Sequence, residues 1–310
     1  MKLIKLLTVF FLVMPLGSAV MAQPQFILGV DSGSNSAHLF NPFDGSLVQQ
    51  DFLQWGDLGT GSSTAIKALQ VKNEIWVSDQ LRDTIYRFNL AGSHLGTIGE
   101  TGLDNIRGMT LVGNTVWVAN AGTQNDAPGN AIVFIDADSA TIQGSASVDV
   151  GIWDFVSYQG MILASNSTNS ELQLFNTDGT FDSVFHTPTA PGLRFPQQLF
   201  VRENNNILAA GFSTAGGNVA GVHEFDSDGN PLGVIAAEGF GPRGVFVLGN
   251  GDIMWTNGAG FQIGANLDNQ ILAGSGRFLT LISIPEPSSL GLMLAMLGFG
   301  LCGRRRDPFN

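Results

Sequence analysis

One cysteine, Cys302, stands in a chain of 310 residues, and it lies close to the C-terminus. The rest of the chain therefore holds no internal disulfide, no thiolate nucleophile and no cysteine-built metal centre. Basic residues are scarce too. Nine of the 14 lysines and arginines fall in residues 23–283 against 24 of the 26 acids, a net charge of about −15 there. Neutralising a phosphate backbone demands the opposite balance, so nucleic acid is excluded as a partner. The four histidines, His38, His94, His186 and His223, show no HExxH or other metal spacing. Neither a GxSxG elbow nor a phosphate-binding GxxxxGK[ST] or GxGxxG loop appears, so seryl hydrolases and nucleotide enzymes lack support and no cofactor is expected. The body must rest on a packed core, for which about 260 residues suffice.

The two ends differ from everything between them. MKLIKLLTVFFLVMPLGSAVMAQPQ sets Lys2 and Lys5 ahead of an apolar stretch, with Val20 and Ala22 placed for cleavage before Gln23. That is the three-part pattern of a secretory signal peptide, which predicts export through the Sec translocon. An uncleaved anchor is the alternative, but Pro15 and Gly17 interrupt the apolar stretch. At the other end stands IPEPSSLGLMLAMLGFGLCGRRRDPFN. Its apolar run, Leu290 to Gly303, is shorter than the roughly 20 residues that cross a bilayer comfortably, and Arg304, Arg305 and Arg306 follow it. The expected division is a signal peptide at 1–22, a body at 23–283 and a tail at 284–310.

Within the body one pattern recurs. It begins FILGVDSGSNSAHLFNPFDGSLV at residue 26, and returns from residues 75, 116, 162 and 207. Each copy reads as a strand, a loop, a second strand, a tight turn and a third strand. Another apolar strand precedes the later copies: AIKALQV, IRGMTLV, WDFVSYQ, PQQLFVR and PRGVFVL. From Lys67 the spacings to Arg107, Asp154, Gln197 and Arg243 are 40, 47, 43 and 46 residues. Four short strands per 40–50 residues predict β-propeller blades, which must stack radially because one such sheet cannot bury both faces. The first copy lacks its leading strand, and RFLTLIS at 277–283 has nothing but the tail after it. The expected fold is therefore an all-β, six-bladed propeller whose C-terminal strand completes blade one. Phe40, Phe88, Ile135, Phe175 and Phe225 share one repeat position and are expected to pack between blades. Blade six, GFQIGANLDNQILAG, departs most from the pattern.

The repeat also aligns polar residues. Asp31, Asp79, Asn120, Asn166, Gly211 and Asn257 end one strand of each blade; Lys67, Arg107, Asp154, Gln197, Arg243 and Arg277 begin the innermost ones. Both sets are expected near one mouth of the central channel, with the insertions TQNDAPGN and STAGGNVAG on the same face. The candidate ligand-binding residues are thus Lys67, Arg107, Arg243 and Arg277 with Asp31, Asp79, Asn120 and Asn166. Capping of turns by the acids and amides, and pairing of the bases with Asp154 and Asp79, is the structural alternative. His38 and His223 share a strand position with Tyr86 and Gln173, which reads as structural. DSDGN at 226–230 has the opening cadence of a calcium loop but lacks its closing glutamate, and it reads as a hairpin turn.

Two resemblances extend this reading. Pro285-Glu286-Pro287, a short apolar segment and Arg304 to Arg306 together resemble the PEP-CTERM sorting signal of exported Gram-negative proteins. The resemblance implies an inner-membrane-anchored precursor that an exosortase, recognising the PEP motif, releases to the cell surface or the exopolysaccharide matrix. The body is similar to NHL and gluconolactonase-type propellers, on lines such as PRGVFVLGNGDIMWTN. Gluconolactonase-type enzymes hold a divalent metal at the channel mouth, which points to Asp31, Asp79, Asn120 and Asn166. The reading adopted is an exported binding or structural module without catalysis or a metal, with an anionic saccharide as its candidate ligand; the alternative is a metal-dependent lactonase-like hydrolase.

Overall fold

The computed structural model describes residues 23–99, 101–148, 150–236, 241–265 and 269–285. The signal peptide expected at 1–22, and the tail from Glu286 through Pro287 to Arg304, Arg305 and Arg306, lie outside the described residues. Among the described residues twenty-four strands, numbered β1 to β24 along the chain, form six four-stranded antiparallel sheets. The innermost strands are β4 (Ala65–Val71), β8 (Met109–Val112), β12 (Ile152–Tyr158), β16 (Pro196–Val201), β20 (Gly244–Val247) and β24 (Gly276–Ser283). They pack against one another in a closed ring, β24 lying between β20 and β4.

Blade one is completed as expected. Its order is β24, β1 (Gln25–Asp31), β2 (Ser36–Phe40) and β3 (Leu47–Gln54), with Gln25 opposite Ser283 and Ile27 opposite Leu281. The seam gains a clamp from blade two, because Gln70 donates to the Ser283 carbonyl (3.1 Å) and accepts from its amide (2.7 Å).

Alternation along the strands puts apolar side chains on both faces of every sheet, so the core divides into seams. Six hydrophobic clusters each join two consecutive blades. Phe40, Phe88, Ile135, Phe175 and Phe225 are all buried, each against the preceding blade. Blade six departs for a clear reason. Ile253 pairs with Gly264 where the other blades place the large side chain, and Trp255, whose indole donates to the Gly264 carbonyl (2.8 Å), fills the seam with blade five. The DSDGN segment is a hairpin turn in which Asp226 accepts the amides of Asp228 and Asn230, both at 2.9 Å.

Candidate functional site

Strand direction sorts the loops onto two faces. Innermost strands all run the same way, so the insertions at 121–130 and 212–220 lie on the face where those strands begin, here called the mouth face. The tight turns around Asp44, Asp138, Asp178 and Asp228 lie on the other, the turn face.

At the mouth, the acids and amides of the repeat are spent on backbone. Asp79 accepts the amides of Thr64 (2.9 Å), Leu81 and Arg82, and the Ser63 hydroxyl (2.5 Å). Asn120 accepts the Asp104 amide and donates to the carbonyls of Gly122 and Gly129, which folds the insertion back on the blade. Asn166 caps the amides of Thr168 and Asn169. Asp31 accepts from Gly33, Ser34 and Ser275. Burial opposes ionisation of Asp31, but His38 and these amides outweigh it and hold the carboxyl down to about 2.

The basic side chains divide into two layers, a separation that chain spacing alone concealed. Counted from the strand-end acid or amide of the partner strand, Arg107, Arg243 and Arg277 share a ring position with Ile66, Trp153 and Gln197. Lys67 and Asp154 sit one residue further along, with Gly108, Gln198, Gly244 and Phe278. A register irregularity recurs at this level around the ring, between Ala65 and Lys67, Ile152 and Asp154, Pro196 and Leu199, and on the partner strand of blade one between Gly29 and Asp31.

That second layer closes the channel. Lys67 of blade two reaches past blade three to Asp154 of blade four, Nζ to Oδ1 at 2.6 Å, and both are buried. Asp154 Oδ2 accepts the Leu199 amide of blade five. Gln198 accepts the amides of Val245 and Leu279 and donates to the Leu279 carbonyl, tying blades five, six and one. Opposite blades three and six contribute glycines. A Cβ on Gly108 would stand 2.4 Å from the Trp153 carbonyl oxygen, and one on Gly244 2.3 Å from that of Arg277. Ile66, Trp153 and Phe278 complete the plug, with Phe195 against them. Beyond it a cavity of about 330 Å³ opens on the turn face, walled by Leu69, Phe155, Phe246 and Leu279 among others.

The arginine layer lies on the mouth side of this plug. Arg107 donates to the Ile152 carbonyl (3.2 Å) and stacks on Trp153, its guanidinium carbon 4.5 Å from the ring centre. Arg243 donates to the Ser275 hydroxyl (3.1 Å) and lies over Phe212. Arg277 donates to the Ser32 hydroxyl (3.0 Å). Of the pairings with Asp154 and Asp79 expected for the four bases, that of Lys67 with Asp154 forms, whereas none forms to an arginine: Lys67 occupies Asp154, and turn amides with Ser63 occupy Asp79. Among the described residues no carboxylate forms an ion pair with any of the three arginines. Burial pushes the Arg107 guanidinium down to about 10; burial, with the charge of Arg243 beside it, does the same to Arg277. Four buried polar atoms of this one ring position lack a hydrogen-bond partner among the described residues: Arg107 Nε, Arg243 Nε, Trp153 Nε1 and Gln197 Oε1. Trp153 and the orphaned atoms have no signature in the repeat and were not among the expected site residues.

A carboxylate pair, Asp83 and Asp104, lies between blades two and three; burial first, and then the charge of Asp104, raises the Asp83 pKa. Both already serve loop amides, those of Asn105 and Gln124. Among the described residues no three histidine, cysteine or acidic side chains stand together as metal ligands. The oxygens of Asp31, Asp79, Asn120 and Asn166 face their own turns, so this set does not fit the metal site of a gluconolactonase-type enzyme.

Comparison with known proteins places the two parts of the chain. Residues 283–306 match the PEP-CTERM protein-sorting motif. No curated protein matches the chain. Among solved structures, a chain of a nidogen/laminin complex superposes with a TM-score of 0.65 at 13% identity, covering 83% of this chain and 98% of the other. A catalytically inactive virginiamycin B lyase from Staphylococcus aureus, solved with quinupristin, gives 0.56 at 13% identity over 81% and 85%. A Bacteroides caccae protein of unknown function gives 0.53 at 13% over 84% and 99%. At such identities the likeness extends to the fold alone, and it includes an enzyme. The chain is thus a six-bladed β-propeller that carries a PEP-CTERM sorting motif, the mark of an exported protein processed at the membrane by an exosortase.

Proposed function

We propose that the channel mouth binds an anionic saccharide of the cell surface or extracellular matrix, without catalysis. The observation that carries this reading is the ring of Arg107, Arg243 and Arg277, three half-buried cations without a carboxylate partner among the described residues, interleaved with orphaned donors. Buried polar groups are nearly always paired, and a cluster of unpaired donors calls for an acceptor. A sugar carboxylate or sulfate supplies oxygens for planar guanidinium forks. The local positive field lies in a body of net charge near −15, so it focuses such a ligand into the concavity. The double substitution Arg107→Ala with Arg243→Ala is expected to weaken binding to an anionic polysaccharide at least tenfold in calorimetry while leaving the melting temperature within a few degrees. Undiminished binding by the double variant, or no binding by the parent, overturns the proposal. Turnover of a lactone panel with added Ca²⁺ or Zn²⁺ would replace it with the hydrolase reading.

Delivery completes the proposal. The signal peptide at 1–22 takes the chain through the Sec translocon, the tail at 284–310 holds the precursor in the inner membrane, and cleavage at the PEP motif releases the body to the surface. Replacing Pro285-Glu286-Pro287 with alanines is expected to leave a full-length precursor in the inner membrane from which the signal peptide has still been removed. Mass spectrometry of the mature protein checks this, and surface protein that retains Cys302 and Arg304 to Arg306 rules out cleavage.

A further inference from the structure

We infer that the anchored precursor stands with its turn face toward the bilayer and its arginine mouth pointing away, so that the mouth is open to ligand before release. This rests on the reading of the tail as a membrane anchor, and adds to it the face that meets the lipid. The argument begins at the seam of blade one. β24 starts at the mouth with Gly276 and ends on the turn face with Ser283, where Gln25 pairs with it and Gln70 clamps it. Ile284 still belongs to the body, since its amide donates to the Pro24 carbonyl (3.0 Å) and its side chain packs against the first inter-blade cluster. The chain therefore enters and leaves on one face, beside the channel axis. Only six residues, seven chain steps, separate Ser283 from Leu290, the first residue of the apolar run. Fully extended, they reach at most about 25 Å. That tether is too short to carry the folded body around so that the mouth meets the membrane. An innermost strand of eight residues adds roughly 26 Å of height between the two faces.

The charge on the turn face sets how closely it approaches. Asp44, Asp138, Asp178, Asp228, Glu203 and Asp252 are exposed there. Lys72 pairs with Asp138 and Arg202 with Glu224 on the same side, which leaves most of these acids uncompensated. Opposite anionic lipid this face is repelled over a Debye length, about 8 Å at physiological salt. The body stands off on its tether and does not lie against the headgroups.

Energy transfer tests the orientation on the full-length chain with Cys302→Ser, reconstituted in vesicles of phosphatidylethanolamine and phosphatidylglycerol carrying an acceptor-labelled lipid. A donor attached at Asp228→Cys, on the turn face, is expected to be quenched at least twofold more than one at Gln124→Cys, on the mouth face. Co-flotation with equal quenching at the two positions, or stronger quenching at position 124, overturns the orientation alone. Failure to co-float overturns the anchoring reading and this inference with it.

Discussion

Deleting residues 277–283 is expected to abolish cooperative unfolding, whereas ending the chain after Ile284 leaves the melting temperature unchanged. The deletion removes the ladder to β1 and the packing of β24 against β4 and β20, which closes the ring. It also removes three buried side chains, Phe278, Leu279 and Ile282. Losing buried side chains of this size costs about 2–5 kcal/mol each, and three such losses match or exceed the 5–15 kcal/mol that usually holds a domain folded. Further losses follow. Gln198 loses the Leu279 carbonyl to which it donates and one of the two amides it accepts, and β1 becomes an exposed edge next to an apolar seam. Truncation after Ile284 touches none of these groups. Calorimetry on the two truncations decides the matter, and equal transitions for both would refute closure by β24.

Lys67→Met is expected to destabilise the protein by about 3–5 kcal/mol at neutral pH, the usual cost of stripping one partner from a buried ion pair. Asp154 is fully buried, so burial raises its pKa, and Lys67 at 2.6 Å is the principal opposing influence. In the variant only the backbone hydrogen bonds of Leu199 and Phe155 still oppose burial, the largest influence, and the folded protein holds Asp154 protonated to higher pH than the unfolded chain does. A carboxyl of this kind favours the folded state at pH values below its unfolded pKa, and that advantage is lost as the pH rises through the folded pKa. The melting-temperature gap between variant and parent should therefore narrow as the pH is lowered from 7 toward 5. A constant gap over that range would show that Asp154 does not carry the penalty. Adding Asp154→Leu to Lys67→Met should restore much of the loss at pH 7, because two apolar groups leave no charge behind in the plug.

The blade count and the closing strand were legible because both follow from repetition. Strand, turn and strand recur at 40–50 residues, and an N-terminal copy without its leading strand requires a donor from the other end. Phe40, Phe88, Phe175 and Phe225 could be aligned by the Asn or Asp that follows each of them and by the tight turn beyond. The mouth was less legible. Lys67, Arg107, Asp154 and Arg277 look equivalent by chain spacing, but counted from the strand-end pair, Ala65 opposite Asp79 and Ile152 opposite Asn166, Lys67 and Asp154 stand one residue further along than the arginines. A spacing of 40–50 residues with loops of unequal length does not resolve an offset of one. Whether a cation is paired or left alone depends on side chains arriving from other blades. Lys67 meets Asp154 across 87 residues of chain, and Trp153 comes to lie beneath Arg107 from the next blade.

The Gln70 clamp on Ser283 has a mechanical consequence. Drag on a tail-anchored body pulls β24 from its C-terminal end, along the direction in which an antiparallel ladder unzips one rung at a time. Past the single bond from Ile284 to Pro24, the first paired rung to bear that load, Ser283 against Gln25, is the one that Gln70 grips by both amide and carbonyl. Force entering through the tail is thereby divided between blades one and two at the point of attachment, so the weakest geometry of the ring coincides with a doubly fastened residue.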